Sequence, residues 1–181
     1  MQIRIAAPED APAINAIYRP FVLDTRISFE LEPPSDALMA ERIAKILQQL
    51  PWLVGFAGDR LLGYAYASRY RERPAYQWSV ETAVYVDPSH HRTGIGRALY
   101  QHLFTILRQQ GYFMAYAGIT LPNAASVALH ESLGFDVVGI YRNAGYKSGA
   151  WCDVGWWQYA LTDHAVPSGP PQAFPLLKIM S

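Results

Sequence analysis

A short basic loop with two glycines is the first stretch whose residues could do chemistry. It lies in V-Y-V-D-P-S-H-H-R-T-G-I-G-R (84–97), between an apolar, β-branched run and a stretch with helical spacing. The first N–H groups of a helix have no partner inside it and carry partial positive charge, so they can bind an anion. Arg92 and Arg97 add charge, and Gly94 and Gly96 let a phosphate approach the main chain. The spacing fits neither a Walker loop nor a dinucleotide fingerprint; a phosphate cradle and a plain strand–turn–helix connection both stay open.

A carboxylate stands in the middle of the strand predicted just before this loop (78–86). Side chains alternate along a strand, so Glu81 shares one face with Tyr85, while Val80 and Thr82 share the other. Ionising a carboxylate among apolar neighbours is costly, which raises its pKa and suits it to act as a general base. The alternative is a partly exposed strand residue that pairs with an arginine.

Two further polar groups are candidates for a site. Asn123, Ser126 and His130 form one stripe on a predicted helix, which could border a cleft or could simply be solvated. Arginines and tyrosines alternate in S-R-Y-R-E-R-P-A-Y-Q (68–77), and the planar guanidinium suits a carboxylate or a phosphinyl oxygen. A nucleic-acid surface and a solvated loop are the alternatives for this patch, and its shortness counts against nucleic acid.

Composition limits the class of protein. The chain has 181 residues, of which 51% are hydrophobic, and its 15 basic and 15 acidic residues balance, so no global field favours nucleic acid or a membrane surface. The single cysteine, Cys152, rules out an internal disulfide and gives no metal cluster. Apolar runs are shorter than a membrane span, and the N-terminus lacks a signal-peptide core. We therefore expect a cytoplasmic enzyme or binding module, with no metal.

The elements that must position these residues follow from periodicity and from helix start and stop signals. The predicted order is β-α-α-β-β-β-α-β-α-β-β, which indicates one α/β domain with a mixed sheet over residues 1–165 and a proline-rich tail over 166–181. Thr25–Glu32 reads as a surface loop that could line a pocket. Ser35 and Asn123 are predicted helix caps, Gly111 and Gly134 are predicted helix ends, and the last two strands are predicted over 135–141 and 153–161.

Four motifs in this order carry a resemblance to a known family. They are A-Y-Q-W-S-V-E-T-A-V-Y-V, H-H-R-T-G-I-G-R-A-L-Y-Q-H-L, L-P-N-A-A-S-V-A-L-H-E-S-L-G-F and A-G-Y-K-S-G-A-W-C-D-V-G-W-W-Q. The chain resembles the GCN5-related N-acetyltransferases (GNAT), and within them the phosphinothricin N-acetyltransferase, or bialaphos-resistance, branch. The resemblance implies the GNAT fold, a mixed and mostly antiparallel central sheet with splayed central strands, flanked by helices.

The resemblance also implies roles for individual residues. Glu81 would be the general base, acting through water, and His130 stands where many members carry a tyrosine as general acid. His91 departs from the family pattern, which has arginine or glutamine there. Acetyl-CoA would contact Val84, Tyr85, Val86, His91, Arg92, Thr93, Gly94, Ile95, Gly96, Arg97 and Asn123. The amine substrate would contact Phe29, Arg71, Arg73 and Tyr76.

The resemblance implies direct acetyl transfer to the α-amino group of a small amino-acid analogue, such as phosphinothricin, methionine sulfone or methionine sulfoximine. Two alternatives stay open: acetylation of a protein N-terminus or lysine, and a non-catalytic acetyl-CoA-binding module. An acyl-enzyme is not expected, because no serine or cysteine has a convincing neighbouring base. Family members are often homodimers, and the aromatic last segment with Trp151, Trp156, Trp157 and Tyr159 is a candidate interface, with core packing as the alternative.

Overall fold

Strands and helices follow one another along the chain in the predicted order. The computed structural model describes residues 1–163 and 166–176. Within them lie the strands β1 (Gln2–Ile5), β2 (Trp52–Ala57), β3 (Arg60–Arg69), β4 (Ser79–Val86), β5 (Met114–Leu121), β6 (Asp136–Lys147) and β7 (Ala150–Ala160). The longer helices are α1 (Ala11–Leu23), α2 (Asp36–Leu47), α3 (Ile95–Gln110) and α4 (Ala124–Ser132).

Helix boundaries are set by the side chains that the sequence indicated. The Ser35 hydroxyl accepts a hydrogen bond from the Leu38 N–H at the start of α2, and Asn123 Oδ1 accepts one from the Ser126 N–H at the start of α4. At the end of α3, Gly111 has φ 89°, a left-handed conformation that stops the helix.

The central feature of the sheet is a gap between its two middle strands. The strand order is β1-β2-β3-β4-β5-β7-β6, with antiparallel neighbours except for the parallel pair β4–β5. That pair is in register over only Ser79–Glu81 and Met114–Tyr116. Beyond it β4 continues beside β3, and β5 continues beside β7. The predicted splay of the central strands is therefore confirmed.

Helices cover both faces of the sheet. On one face α3 buries Leu99 and Leu103 in a core that includes Val80. On the other face α1 and α2 form a second core. The ring of Tyr85 lies there, in edge contact with Tyr18 and Phe21 of α1 at 5.1 and 5.2 Å between centroids. Glu81 has the same strand parity as Tyr85, so it projects towards the α1 side.

The last hairpin is longer than predicted. Strand β6 continues to Lys147 and β7 begins at Ala150, so both strands enter the stretch 142–152 that separates the two predicted strands. A bulge between Tyr141 and Gly145 absorbs the irregularity, with Asn143 at φ 50°. The turn at the hairpin tip then uses two residues with positive φ.

The described part of the tail contacts the body of the protein near Gln110 and ends in a 3-10 turn, Phe174–Leu176. The fully buried Gln110 side chain donates to the carbonyls of Gln49 and Gln172, both at 2.8 Å, and Phe174 is buried nearby. The predicted domain boundary at 165/166 touches residues 164–165, which lie outside the described residues, as do 177–181. No helix in the described ranges is long and apolar enough to cross a bilayer.

Candidate active site

The gap between β4 and β5 opens into a cavity of about 900 Å³. Every residue predicted to be catalytic or to contact acetyl-CoA lines it: Glu81, Val84, Tyr85, Val86, His91, Arg92, Thr93, Gly94, Ile95, Gly96, Arg97, Asn123 and His130. The four predicted substrate residues, Phe29, Arg71, Arg73 and Tyr76, lie outside this lining. The structure thus gathers the first set around one space and leaves the second set outside its lining.

One wall of the cavity is main chain. From Thr82 to Val86, β4 has no ladder partner on its β5 side among the residues the structure describes. Strand amides and carbonyls without a partner can pair with an extended ligand, as an added strand would. A long molecule with its own amide groups fits this edge.

The loop that starts α3 offers free N–H groups to an anion. Gly94 is the N-cap of this 16-residue helix, and no side chain caps it. At Gly94 φ is 84°, and an added Cβ would meet open space, so the residue leaves the helix start accessible. Arg92 also has a positive φ, 61°, which is uncommon for a residue with a side chain and typical of functional loops.

Short-range hydrogen bonds hold the loop in shape. The Asp87 carboxylate accepts from the Ser89 N–H and hydroxyl and from Arg60, contacts that bring the pKa of Asp87 down to about 2. His91 Nε2 lies 3.2 Å from the Val86 carbonyl, which can only accept, so this nitrogen carries a hydrogen. His91 therefore braces the loop against the end of β4. This contact gives the residue a physical role that the family pattern did not supply.

The predicted base stands where the two strands separate. Glu81 occupies the last paired position of β4, opposite Tyr116, and its side chain is half-buried. Burial raises its pKa above the ordinary value, and the Arg71 guanidinium partly offsets this by favouring the ionised carboxylate. The arginine pairing that was the alternative interpretation is thus a longer-range electrostatic influence of Arg71, and within residues 1–163 and 166–176 the Glu81 carboxylate forms no ion pair with a guanidinium. Glu81 therefore lies on the cavity wall and also feels the charge of Arg71.

His130 is buried, so the interpretation of its helix stripe as solvated is wrong. It is 3% exposed, with Nδ1 2.7 Å from the Ser126 carbonyl and Nε2 3.0 Å from the Tyr100 hydroxyl. The carbonyl assigns a hydrogen to Nδ1, and in the neutral ring Nε2 accepts from Tyr100. Burial lowers the pKa of His130, although the Ser126 contact acts in the opposite direction. The narrow polar stripe of α4 faces inwards.

Two of the predicted substrate residues, Arg71 and Tyr76, are connected through Tyr70 to the strand position opposite Glu81. The Arg71 guanidinium lies over the Tyr70 ring at 5.0 Å, and Tyr70 stacks on Tyr116, the residue opposite Glu81 in the sheet. Tyr76 contacts the same Tyr70 ring edge-on at 5.8 Å. The exposed Arg73 begins the short turn that carries Tyr76.

Sequence reasoning missed several residues of the cavity. Tyr100 is fully buried and hydrogen-bonded to His130, and Tyr66 belongs to the lining. Ile27 also lines the cavity, and it lies in the loop Thr25–Glu32 that was predicted to line a pocket. Tyr100 was recognisable in principle, because a tyrosine on the core face of a helix needs a partner for its hydroxyl. Tyr66 carried no such signal, since aromatic residues are ordinary in a core. No group of three potential metal ligands occurs among the described residues.

Comparison with known proteins places the chain in a family context. A family model described as an acetyltransferase (GNAT) domain matches residues 3–156. A phosphinothricin N-acetyltransferase from Streptomyces viridochromogenes is 37% identical over 179 residues, 99% of this chain and 96% of the relative. An L-methionine sulfoximine/L-methionine sulfone acetyltransferase from Salmonella typhimurium is 36% identical over 168 residues, 92% of this chain and 98% of the relative.

A solved structure supports the same context. The crystal structure of a GNAT superfamily phosphinothricin acetyltransferase from Sinorhizobium meliloti, in complex with acetyl-CoA, superimposes with a TM-score of 0.88. It is 34% identical and covers 96% of this chain and 95% of that chain.

Proposed function

Because this chain belongs to the GNAT acetyltransferase family, we propose that it transfers the acetyl group of acetyl-CoA to the α-amino group of a small amino-acid analogue. The predicted family and the prediction of an N-acetyltransferase enzyme are confirmed by its relatives. The proposed substrates are of the phosphinothricin, methionine sulfone or methionine sulfoximine type, the compounds for which the relatives are named.

The residues present fit acetyl-CoA. The uncapped start of α3, with Arg92 and Gly94, offers N–H groups and charge for a pyrophosphate. The unpaired edge of β4 offers main-chain partners for an amide-containing arm. When bound, acetyl-CoA would supply the activated acetyl group. Asn123 lies on the opposite wall, where we propose that it contacts the ligand near the thioester.

The position of Glu81 is the observation that carries the proposed mechanism. A half-buried carboxylate with a raised pKa stands at the point where the strands separate, on the wall of the cavity. We propose that it accepts a proton from the substrate ammonium, directly or through a water, so that the free amine attacks the acetyl carbonyl. Main-chain N–H groups on the free edge of β4 would stabilise the oxyanion that forms.

We propose that His130 passes a proton to the departing thiolate: it takes up the proton that the attacking nitrogen loses as the amide forms and then donates it to the sulfur. The lowered pKa means that the imidazole is neutral at rest, with Nε2 accepting from Tyr100. A proton on Nε2 requires the Tyr100 hydroxyl to rotate and accept instead, which a hydroxyl can do. Tyr100 would therefore stabilise His130 in both protonation states.

Turnover of acetyl-CoA with a panel of amines tests this proposal. The panel contains phosphinothricin, methionine sulfone, methionine sulfoximine, ordinary amino acids and a peptide with a free N-terminus. Substituting Glu81→Gln should lower kcat/KM by roughly 10²- to 10⁴-fold, the usual contribution of a general base. In the parent enzyme, kcat/KM should fall as the pH drops through the raised pKa of Glu81, because the base must be ionised.

The matched control is Glu41→Gln, which removes an exposed carboxylate on α2. It should leave the rates unchanged. Turnover of Glu81→Gln within a few-fold of the parent enzyme would refute the base assignment. Binding of acetyl-CoA without turnover of any amine would instead favour the non-catalytic module, and turnover of the peptide alone would favour a protein acetyltransferase.

The proposal includes a homodimer. Strand β6 is a sheet edge, and the β6–β7 hairpin exposes large apolar side chains: Val137, Val138, Ile140, Tyr141, Tyr146 and Trp151. Clustered apolar exposure on an unpaired edge is typical of an interface. Trp157, in contrast, is packed in the core. Light scattering on the eluting protein should give twice the 20.3 kDa chain mass, and a mass of one chain would contradict the dimer.

The proposal also includes a cytoplasmic location. Cys152 is a free, buried thiol, which suits a reducing compartment.

A further inference from the structure

A lysine is buried at the end of β6, outside the cavity lining. Lys147 is 6% exposed, and its Nζ donates hydrogen bonds to the carbonyls of Val22 and Ser28 at 2.7 and 2.6 Å. Removing an ammonium group from water is costly unless hydrogen bonds replace its hydration. Val22 lies in the last turn of α1 and Ser28 in the segment that follows, both more than a hundred residues away in the chain. Lys147 therefore ties two distant parts of the fold together.

The segment that Lys147 holds is the α1–α2 loop (Thr25–Glu32) together with the end of α1. Further contacts fasten the same loop to the same side of the sheet. Thr120 Oγ1 of β5 donates to the Ile27 carbonyl at 3.1 Å, and the Phe29 ring packs directly on Gly145 of β6. Ile27 itself lines the cavity.

These contacts connect the two halves of the sheet across its gap. Helix α1 rests on the β4 half, where Tyr18 and Phe21 contact Tyr85. The loop that follows rests on the β5–β7–β6 half. Since β4 and β5 have no ladder hydrogen bonds beyond Glu81, the loop forms a second connection between the halves. By strand parity it lies on the face that carries Glu81.

We propose that Lys147 is a positioning residue: it holds the α1–α2 loop against the β6–β7 hairpin and so shapes the amine-substrate side of the cavity. This inference rests on the proposed function. Lys147 should therefore affect binding of the amine. It should not affect the anion-binding loop before α3, because its hydrogen bonds go to Val22 and Ser28.

Two measurements on Lys147→Met test the proposal, since methionine keeps the length of the side chain and removes the ammonium. Hydrogen-exchange mass spectrometry, which needs no substrate, should show faster exchange in residues 24–34 and unchanged exchange in residues 87–97. In turnover assays, KM for the amine should rise by about ten-fold or more, given two lost charge-assisted hydrogen bonds. KM for acetyl-CoA should stay within about two-fold, the change expected of a site that Lys147 does not contact.

A second variant tests the attachment of the loop independently, in case Lys147→Met does not fold. Thr120→Val removes the Thr120–Ile27 hydrogen bond at nearly constant volume, and it should change exchange and KM in the same direction by a smaller factor. Lys45→Met, on an exposed lysine of α2, is the control and should change neither. Unchanged exchange in residues 24–34 of Lys147→Met, or equal changes in both KM values, would overturn the proposal. Failure of the parent enzyme to acetylate any amine would refute the proposed function instead, and the exchange result would still test the loop's attachment.

Discussion

The loop that begins α3 and the loop that follows α1 border the same cavity, but different kinds of contact hold them. In the first loop most of the hydrogen bonds are local: Asp87 to Ser89, His90 to Thr93, and Val86 to His91, at separations of two, three and five residues. The longest, from Arg60 to Asp87 and Ser89, span 27 and 29 residues. The second loop has local hydrogen bonds too, but others join it and the end of α1 to residues 93 to 125 positions away. The loop before α3 is thus held mainly by residues close to it in the sequence, and the loop after α1 is held also by strands far away in the chain.

This difference suits the two ligands that we propose. Acetyl-CoA is the same molecule whichever amine is acetylated, so its site does not need to vary. A loop at the end of β4 that is held mainly by its neighbours in the sequence depends little on the rest of the chain. The amine side depends on a loop, a hairpin and a turn that meet only in the folded protein. Substitutions far away in the sequence can therefore change the amine side without altering the anion-binding loop.

Removing Arg71 should give the largest effect that separates the two sides. Arg71→Ala deletes a guanidinium near Glu81, and a lost charge-assisted hydrogen bond to a substrate carboxylate should lower kcat/KM by roughly 10- to 100-fold. The KM for acetyl-CoA should hardly change. The pKa of Glu81 should rise further without the nearby positive charge, so the acidic limb of the kcat/KM profile should move to higher pH.

Arg69→Ala is the control for this change, because Arg69 belongs to the same basic patch but pairs with Glu72 at 3.2 Å on the surface. It should leave both the kinetic constants and the pH profile in place. Equal rises in the KM values of the amine and acetyl-CoA in Arg71→Ala would show that the two sides are not independent.

A smaller effect is expected from Gly94, on the other side of the comparison. Gly94→Ala and Gly58→Ala place a side chain at φ 84° and 57°, in open space, so each should lower stability by about 1 kcal/mol. Gly58 lies in the hairpin turn between β2 and β3, away from the cavity. Only Gly94→Ala should raise KM for acetyl-CoA, by about ten-fold for a contact cost of about 1.4 kcal/mol.

Melting temperatures and both KM values should be measured for this pair of variants. Matching losses of stability with a change in KM for acetyl-CoA confined to Gly94→Ala would support the assignment of the loop. The same KM in both variants would contradict it.

The contrast between local and distant contacts also explains which features could be predicted from the sequence. The caps at Ser35 and Asn123 and the stop at Gly111 depend on neighbouring residues, and all three were predicted correctly. The element order followed from periodicity for the same reason. The resemblance to the GNAT family supplied the splay of β4 and β5, which no local pattern encodes.

What could not be predicted depends on partners far away in the chain. His130 looked like part of a solvated stripe because its hydroxyl partner, Tyr100, lies on another helix. No local pattern marks Lys147, because its acceptors are carbonyls of α1 and of the loop after it. The bulge that lengthens β6 reads as a break because its register is set by β7. The roles of the individual site residues stay predictions, to be decided by the variants above.

The gap between β4 and β5 has a thermodynamic consequence. A sheet with an unpaired stretch in its middle is a structure whose hydrogen bonding is completed by its ligand. A ligand that pairs with β4 binds only the folded chain, so the free energy of unfolding rises with the logarithm of its concentration above Kd. The resistance of this protein to heat and proteolysis would then increase with the concentration of its acyl donor.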